Sequence, residues 1–350
     1  MRTSLALTAY ISAVLAQAPS LTDLIASQPN LSTLGTALGS LPDLVKTLAG
    51  LSNITILAPT NSAFEALLAG DATPESTAVN SSDAQGIAAI LAYHVLNGTY
   101  VSSDFSETPA FAHTFFVPSF EGRIRTNVTD GQNVGLVLDG ENATILSGEL
   151  KSANVIEADI QAANGVVIHK IDTVLTPPRN ASTTLSTASS ANVTSILTAL
   201  TTANLVSPID TTPDLTLFVP NDAAFAAASA LANASTDALT AALTYHAIAG
   251  AVLFSTAITN TTLKTVNGAD LALAVGQDGA IYIDNAKVLR PNILLSNGVA
   301  HIIDAVLTPE TETSNPGNGT STGASVPSPT ASEFPGAAAR VKGAAPRAFY

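Results

Sequence analysis

The feature that most constrains this chain is an internal duplication. The run Asn164-Gly165-Val166-Val167-Ile168-His169-Lys170-Ile171-Asp172-Thr173-Val174-Leu175-Thr176-Pro177 returns as Asn297-Gly298-Val299-Ala300-His301-Ile302-Ile303-Asp304-Ala305-Val306-Leu307-Thr308-Pro309. Asn-Gly opens each copy as a turn, because both residues tolerate positive φ. The β-branched and apolar run that follows predicts a buried strand, central in its own domain, with the proline as its end. Upstream lie Thr55-Ile56-Leu57-Ala58-Pro59-Thr60-Asn61-Ser62-Ala63-Phe64 and Thr216-Leu217-Phe218-Val219-Pro220-Asn221-Asp222-Ala223-Ala224-Phe225. Each predicts a short strand, a capping Thr60 or Asn221, and a helix. Between these anchors sit Tyr93-His94 and Tyr245-His246. Anchors in one order, twice, at this spacing mean two domains and not a solenoid.

These blocks resemble the first conserved box, the central Tyr-His motif and the second box of fasciclin (FAS1) domains, over most of residues 20–309. The resemblance implies an α+β fold of two tandem FAS1 modules, each a β-wedge or sandwich with packed helices, and a role in extracellular adhesion without catalysis. It also implies adhesion candidates. Asp159-Ile160 resembles the Asp-Ile motif through which animal fasciclin-domain matrix proteins engage integrins, and Tyr93, His94, Tyr245 and His246 match the other integrin-linked motif. Repeat two has Pro291-Asn292-Ile293 at the first of these places, without the carboxylate. Core packing is the competing account of all these residues.

At 350 residues, two domains are expected, each large enough to build a core without cysteine, of which there is none. The expected divisions are a secretory signal peptide over 1–18, domains over 19–178 and 183–310, and a disordered tail over 311–350. Arg2 and the apolar run Leu5–Leu15 carry the signal-peptide reading; the run is too short to span a bilayer. Against 27 Asp and Glu stand 13 Lys and Arg, a net charge of −14, which disfavours nucleic acid and anionic membranes as partners. Sequons at Asn30, Asn80, Asn97, Asn127, Asn142, Asn180, Asn192, Asn233, Asn260 and Asn318 predict a glycoprotein with most sites used; Asn53 is doubtful because it abuts a strand. The tail is rich in Ser, Thr, Pro and Gly, as in an O-glycosylated stalk. It leads toward a GPI signal but lacks the apolar segment such a signal needs, so an anchor is expected only in a form with a hydrophobic tail.

Along the chain, Leu and Val spacing predicts three short helices within 20–50, and 70–84 reads as a polar loop before a helix from about Asp83 to Tyr93. Asp139-Gly140 and Asp278-Gly279 signal hairpins. Residues Phe105–Arg125 read as an enlarged loop of repeat one, with Arg123 and Arg125 beside Phe111, Phe115 and Phe116, either a contact surface or a loop packing its own aromatics. Gly165–Asp172 is one residue longer than Gly298–Asp304, so repeat one must absorb the extra residue near Val166–Ile168 by a bulge or a longer turn for His169 to align with His301. Residues 178–184 read as a short polar linker. The uncharged run Leu239–Leu263 is read as helix then strand, not as a membrane span.

No catalytic or metal-binding pattern stands out, and no cofactor or metal is expected. Gly319-Thr320-Ser321-Thr322-Gly323 imitates a hydrolase elbow in the wrong context. Three functions follow in order: adhesion to cell-surface, wall or matrix glycans and proteins, with homophilic contacts included; binding of a small lipid or carbohydrate; and, last, an enzyme.

Overall fold

In a computed structural model of the protein, residues 18–118, 125–187, 192–228 and 234–309 are described. The signal-peptide segment, the tail, Arg123, Asn233 and Asn318 lie outside them.

Among the described residues each repeat is a seven-stranded sheet with helices packed on it. In repeat one the strands are β1 (Thr55–Pro59), β2 (Val95–Leu96), β3 (Ala110–His113), β4 (Asn133–Asp139), β5 (Asn142–Leu146), β6 (Ser152–Ala162) and β7 (Val166–Ile171), in the order β2-β1-β7-β6-β5-β4-β3. Repeat two has β8 (Leu215–Pro220), β9 (Ala247–Ile248), β10 (Thr261–Lys264), β11 (Asp270–Val275), β12 (Ile281–Ile283), β13 (Ala286–Leu295) and β14 (Gly298–Ile303), in the order β10-β11-β12-β13-β14-β8-β9. The repeated run thus forms β7 and β14, each parallel to the first strand of its repeat and antiparallel to the strand before it. Flanked on both sides and buried at every residue, these strands read as continuous apolar runs rather than alternating ones.

The prolines do not end these strands. β7 stops at Ile171 and β14 at Ile303, and the next residue is an aspartate. Asp172 accepts from the amide of Asn154 at 2.8 Å, and Asp304 from the amide of Lys287 at 2.7 Å. Each carboxylate satisfies a donor of the neighbouring strand where pairing ceases.

The extra residue of repeat one sits in a longer turn. Leu57 lies opposite His169 and Phe218 opposite His301, which aligns the two histidines. The turn Ala163–Gly165 takes up the added residue, with Asn164 and Gly165 at φ 62° and 71°. Repeat two turns more tightly. Asn297 is buried there and donates to the carbonyls of Ile209 and Thr212, and Gly298 already belongs to the strand. A Cβ on Gly298 would lie 1.8 Å from the Leu215 carbonyl oxygen.

The three early helices are Leu21–Ala26, Ser32–Gly39 and Pro42–Ala49, and the helix leading to Tyr-His is Ala84–Tyr93. The caps act as expected: Thr60 accepts from the amide of Ala63, and Asn221 from that of Ala224. Residues 70–84 are not all loop. Pro74–Asn80 is a helix, started by Thr73 and Ser76 in a reciprocal capping box with Pro74 in the first turn. The linker also differs from expectation: Ala181–Thr187 is a helix whose Ala181 and Leu185 join the core of repeat two. Each repeat otherwise has its own apolar core, save that Leu150 of repeat one packs against that of repeat two. Leu239–Leu263 divides into the helix Thr236–Tyr245, which ends in the Tyr-His pair, and the strands β9 and β10. No helix among the described residues is long and apolar enough to cross a membrane.

Candidate functional site

The anchor residues converge on one loop in each repeat, the segment after the Tyr-His strand. Thr55 donates its hydroxyl to the Gly98 carbonyl at 2.9 Å and accepts from the Tyr100 amide at 2.8 Å. Thr216 does the same with Ala251 and Leu253 at 2.7 and 2.9 Å. His169 Nε2 meets the Tyr100 carbonyl at 2.9 Å, and His301 Nε2 the Leu253 carbonyl at 2.8 Å. Asp159 takes the amide and hydroxyl of Ser102; Asn292 Oδ1 takes the amide of Ser255 at 2.8 Å while its Nδ2 donates to the Ser255 hydroxyl oxygen at 2.7 Å. Strand, bulge and histidine therefore grip the same loop in both copies.

The Tyr-His pairs act from beneath. Tyr93 Oη donates to the carbonyl of Asn133 at 2.9 Å, while Tyr245 Oη lies 2.9 Å from that of Asp270 and 2.7 Å from the Asp284 carboxylate, its one proton divided between them. Asn133 and Asp270 begin β4 and β11. Burial raises the Tyr93 phenol far above its usual range. His94 Nδ1 donates to the Ile90 carbonyl at 2.8 Å, and its Nε2 accepts from the Leu175 amide at 2.9 Å. His246 repeats this with Ala242 and Leu307. That arrangement requires neutral rings with the proton on Nδ1. Burial lowers both to about 4, against the opposing pull of the Ile90 and Ala242 carbonyls.

Tyr93, His94, Tyr245 and His246 are thus buried, while Asp159 and Ile160 are half-buried, with Ile160 packed against the core. The structure does not bring the six together into one patch. Of the described sequons, Asn30, Asn80, Asn97, Asn142, Asn192 and Asn260 are exposed, as is Asn53. Two others are engaged. Asn127 donates its side-chain amide to the Thr211 carbonyl at 2.7 Å, and Asn180 to the Asp210 carboxylate at 3.1 Å.

Sequence reasoning missed a second site, the junction of the repeats. The enlarged loop of repeat one does both things envisaged for it. Phe105 and Phe116 are buried in the first core, while Phe111 stacks on Phe254 of repeat two with ring centres 3.8 Å apart and planes 5° from parallel. Asp214 takes the amide and hydroxyl of Thr129. Gln132 Nε2 donates to the Leu295 carbonyl at 2.8 Å, and the Asn127 amide to the Ser296 carbonyl at 2.6 Å. Arg179, in the expected linker, bridges the buried Glu75 and Glu149 of repeat one, while its own carbonyl accepts from the Ser296 amide at 2.7 Å. Hydrogen bonds of this kind contribute roughly 1 kcal/mol each, so together they oppose separation of the repeats. Beside the stacked rings lies a half-open cleft of about 500 Å³, lined from both repeats.

A family model for the fasciclin domain matches residues 29–177 and 191–309. The chain is 34% identical over 307 residues to a fasciclin-like arabinogalactan protein of Arthroderma benhamiae, covering 87% of this chain and 70% of that one. It is 30% identical over 301 residues to the fasciclin-like arabinogalactan protein elcF of Phaeosphaeria nodorum, covering 84% and 89%. A solved FAS1 domain pair from the insect cell adhesion molecule fasciclin I aligns with 79% of this chain and 97% of its own, at 19% identity and a TM-score of 0.36. With its blocks matched in order, twice, the chain belongs to the fasciclin domain family and carries two copies of that domain in tandem.

Proposed function

We propose that this chain is a secreted, glycosylated adhesion protein that holds cells to a wall, matrix or neighbouring surface through the outer faces of its two fasciclin domains. The observation that carries this reading is the use of the motif residues. His94, His169, His246 and His301 meet backbone groups, and Tyr93 and Tyr245 hold strand starts, so the polar side chains that recur in both repeats build the fold. Function then falls to the surface, where seven sequon asparagines stand exposed among the described residues. The relatives are named as fasciclin-like arabinogalactan proteins, which fits a setting among wall or surface glycans. The reading includes removal of residues 1–18 on export, domains over 19–178 and 183–310, and a glycosylated tail.

The test is localisation of the tagged mature protein, with and without glycosidase treatment, beside variants lacking either repeat. Retention on the cell or its wall, weakened by loss of one repeat, is expected. Protein found wholly inside the cell, or washing freely from the surface, would overturn the reading.

A further inference from the structure

We propose that the cleft between the repeats is a binding site for a neutral saccharide, a mono- to trisaccharide stretch held by hydrogen bonds and one apolar face. This goes beyond the adhesion reading, which uses outer surfaces and would stand without it. Repeat one contributes Phe111, His113, Asp130 and Asn133 to the lining; repeat two contributes Asp214 and Phe254. At about 500 Å³ the space falls within the ordinary range of small-ligand pockets, roughly 300–1,000 Å³.

Asn133, at the edge of the cleft, carries a buried group that the fold leaves unmet. Its residue is only 2% exposed, yet its Oδ1 has no hydrogen-bond partner. Its Nδ2 lies 3.5 Å from the Gly131 carbonyl, at the limit of a hydrogen bond. Buried acceptors are normally satisfied, and an orphan is destabilising. The fold does not require this amide. The equivalent residue of repeat two is Asp270, exposed and paired with Lys264 at 2.8 Å; what the two positions share is the backbone carbonyl that receives a tyrosine hydroxyl. The buried amide of repeat one therefore has no counterpart in repeat two.

The lining selects the chemistry. The Asp130 and Asp214 carboxylates are acceptors, Asp214 while also holding the Thr129 amide and hydroxyl, so the occupant must bring donors, and the two repel an anion. Phe111, Phe254, Val128 and Val252 supply an apolar wall in the same space. A lipid tail would leave the acceptors unsatisfied, whereas a small polar ion would leave the wall unused. A sugar ring has hydroxyl donors around its rim and C–H groups on its faces, and so matches both.

The experiment uses the full secreted chain, saturation-transfer NMR and thermal shift. The probes are glucose-, mannose- and galactose-based di- to tetrasaccharides, with a chitosan dimer as cationic arm and a glucuronic acid disaccharide as anionic arm. At least one neutral probe should bind, and Asn133→Leu should weaken it tenfold or more. Asp130→Ala, at an exposed position, should weaken it severalfold without loss of folding, and serves if Asn133→Leu is unstable. No binding by any neutral probe, a preference for either charged arm, or unchanged affinity in both variants would each overturn the site. Wall retention measured on the same variants keeps the two readings apart: intact retention with no sugar binding removes the cleft and leaves the adhesion role.

Discussion

Asp159 and Asn292 occupy equivalent bulges of β6 and β13, both at positive φ, 60° and 64°, and each holds a serine of the loop it faces. Asp and Asn are the side chains that best tolerate this conformation while bonding locally. The carboxylate of the Asp-Ile pair is therefore occupied as a loop clamp. Asp159→Asn should change stability by less than about 1 kcal/mol, since Asn292 already does the same work, while Asp159→Ala should cost about 1–3 kcal/mol by leaving the Ser102 donors unmet. Urea denaturation measures both. The asparagine variant also separates roles: adhesion that survives it does not depend on the charge.

Acid should weaken the fold before the carboxylates titrate. Burial lowers His94, His246 and His301 from 6.5 to about 4. Unfolded, each takes a proton near 6.5; folded, none does until about 4, so the stability they contribute is full above 6.5 and is lost as pH falls toward 4. At 1.36 kcal/mol per unit this approaches about 3 kcal/mol per ring. Unfolding free energies at pH 7.5, 6 and 5 should decline accordingly, and His94→Gln should make the decline shallower. A flat profile above pH 5 would contradict the neutral rings.

The two turn glycines should differ in consequence. Gly298→Ala places a methyl group against the Leu215 carbonyl between paired strands and should unfold repeat two or cost more than about 4 kcal/mol. Gly165→Ala meets the Asn53 side chain at 2.7 Å and strains a φ of 71°, for about 1–3 kcal/mol. Thermal melts of the two variants test the order.

Arg179→Met leaves Glu75 buried without its cation and should cost about 3–5 kcal/mol. The variant keeps the backbone carbonyl that accepts from Ser296, but loses the side-chain bridges that hold that segment to repeat one, so the pair should loosen as well. Small-angle scattering would then register a broader distance distribution, while an unchanged profile would show that the stacked Phe111 and Phe254 suffice.

Glycopeptide mapping should find Asn127 unmodified. A glycan on its amide nitrogen would stand where Thr211 is bonded, and Thr129, the third residue of that sequon, is held by Asp214. Asn30, Asn80, Asn97, Asn142 and Asn260 should be open to modification. Full occupancy at Asn127 would mean that the repeats dock differently.

What the sequence revealed was local or repeated. The strand-Pro-cap-helix blocks and the buried closing strands follow from residues adjacent in the chain, and the duplication checks each against its twin. The helix Pro74–Asn80 had its signal in Thr73-Pro74-Glu75-Ser76, obscured by polar composition and by Ser in place of the usual Glu. The strand ends at Asp172 and Asp304 were hidden because apolar residues continue past them to the prolines. Of the junction, the sequence marks Phe111 as one side of a candidate contact surface, but its partner was not legible: Asn127 meets Ser296, and Phe111 meets Phe254, through pairings no periodicity encodes. Asn133 looked like any strand-opening polar residue until its burial was known.

The position of β7 has a consequence for synthesis. It enters between β1 and β6, strands made long before and shortly before it, so a ribosome must deliver the last stretch of the repeat before the middle of the sheet can close. A nascent chain arrested ahead of Val166 should stay open to proteases, and one extended past Leu175, where His94 receives its amide, should become resistant in a single step.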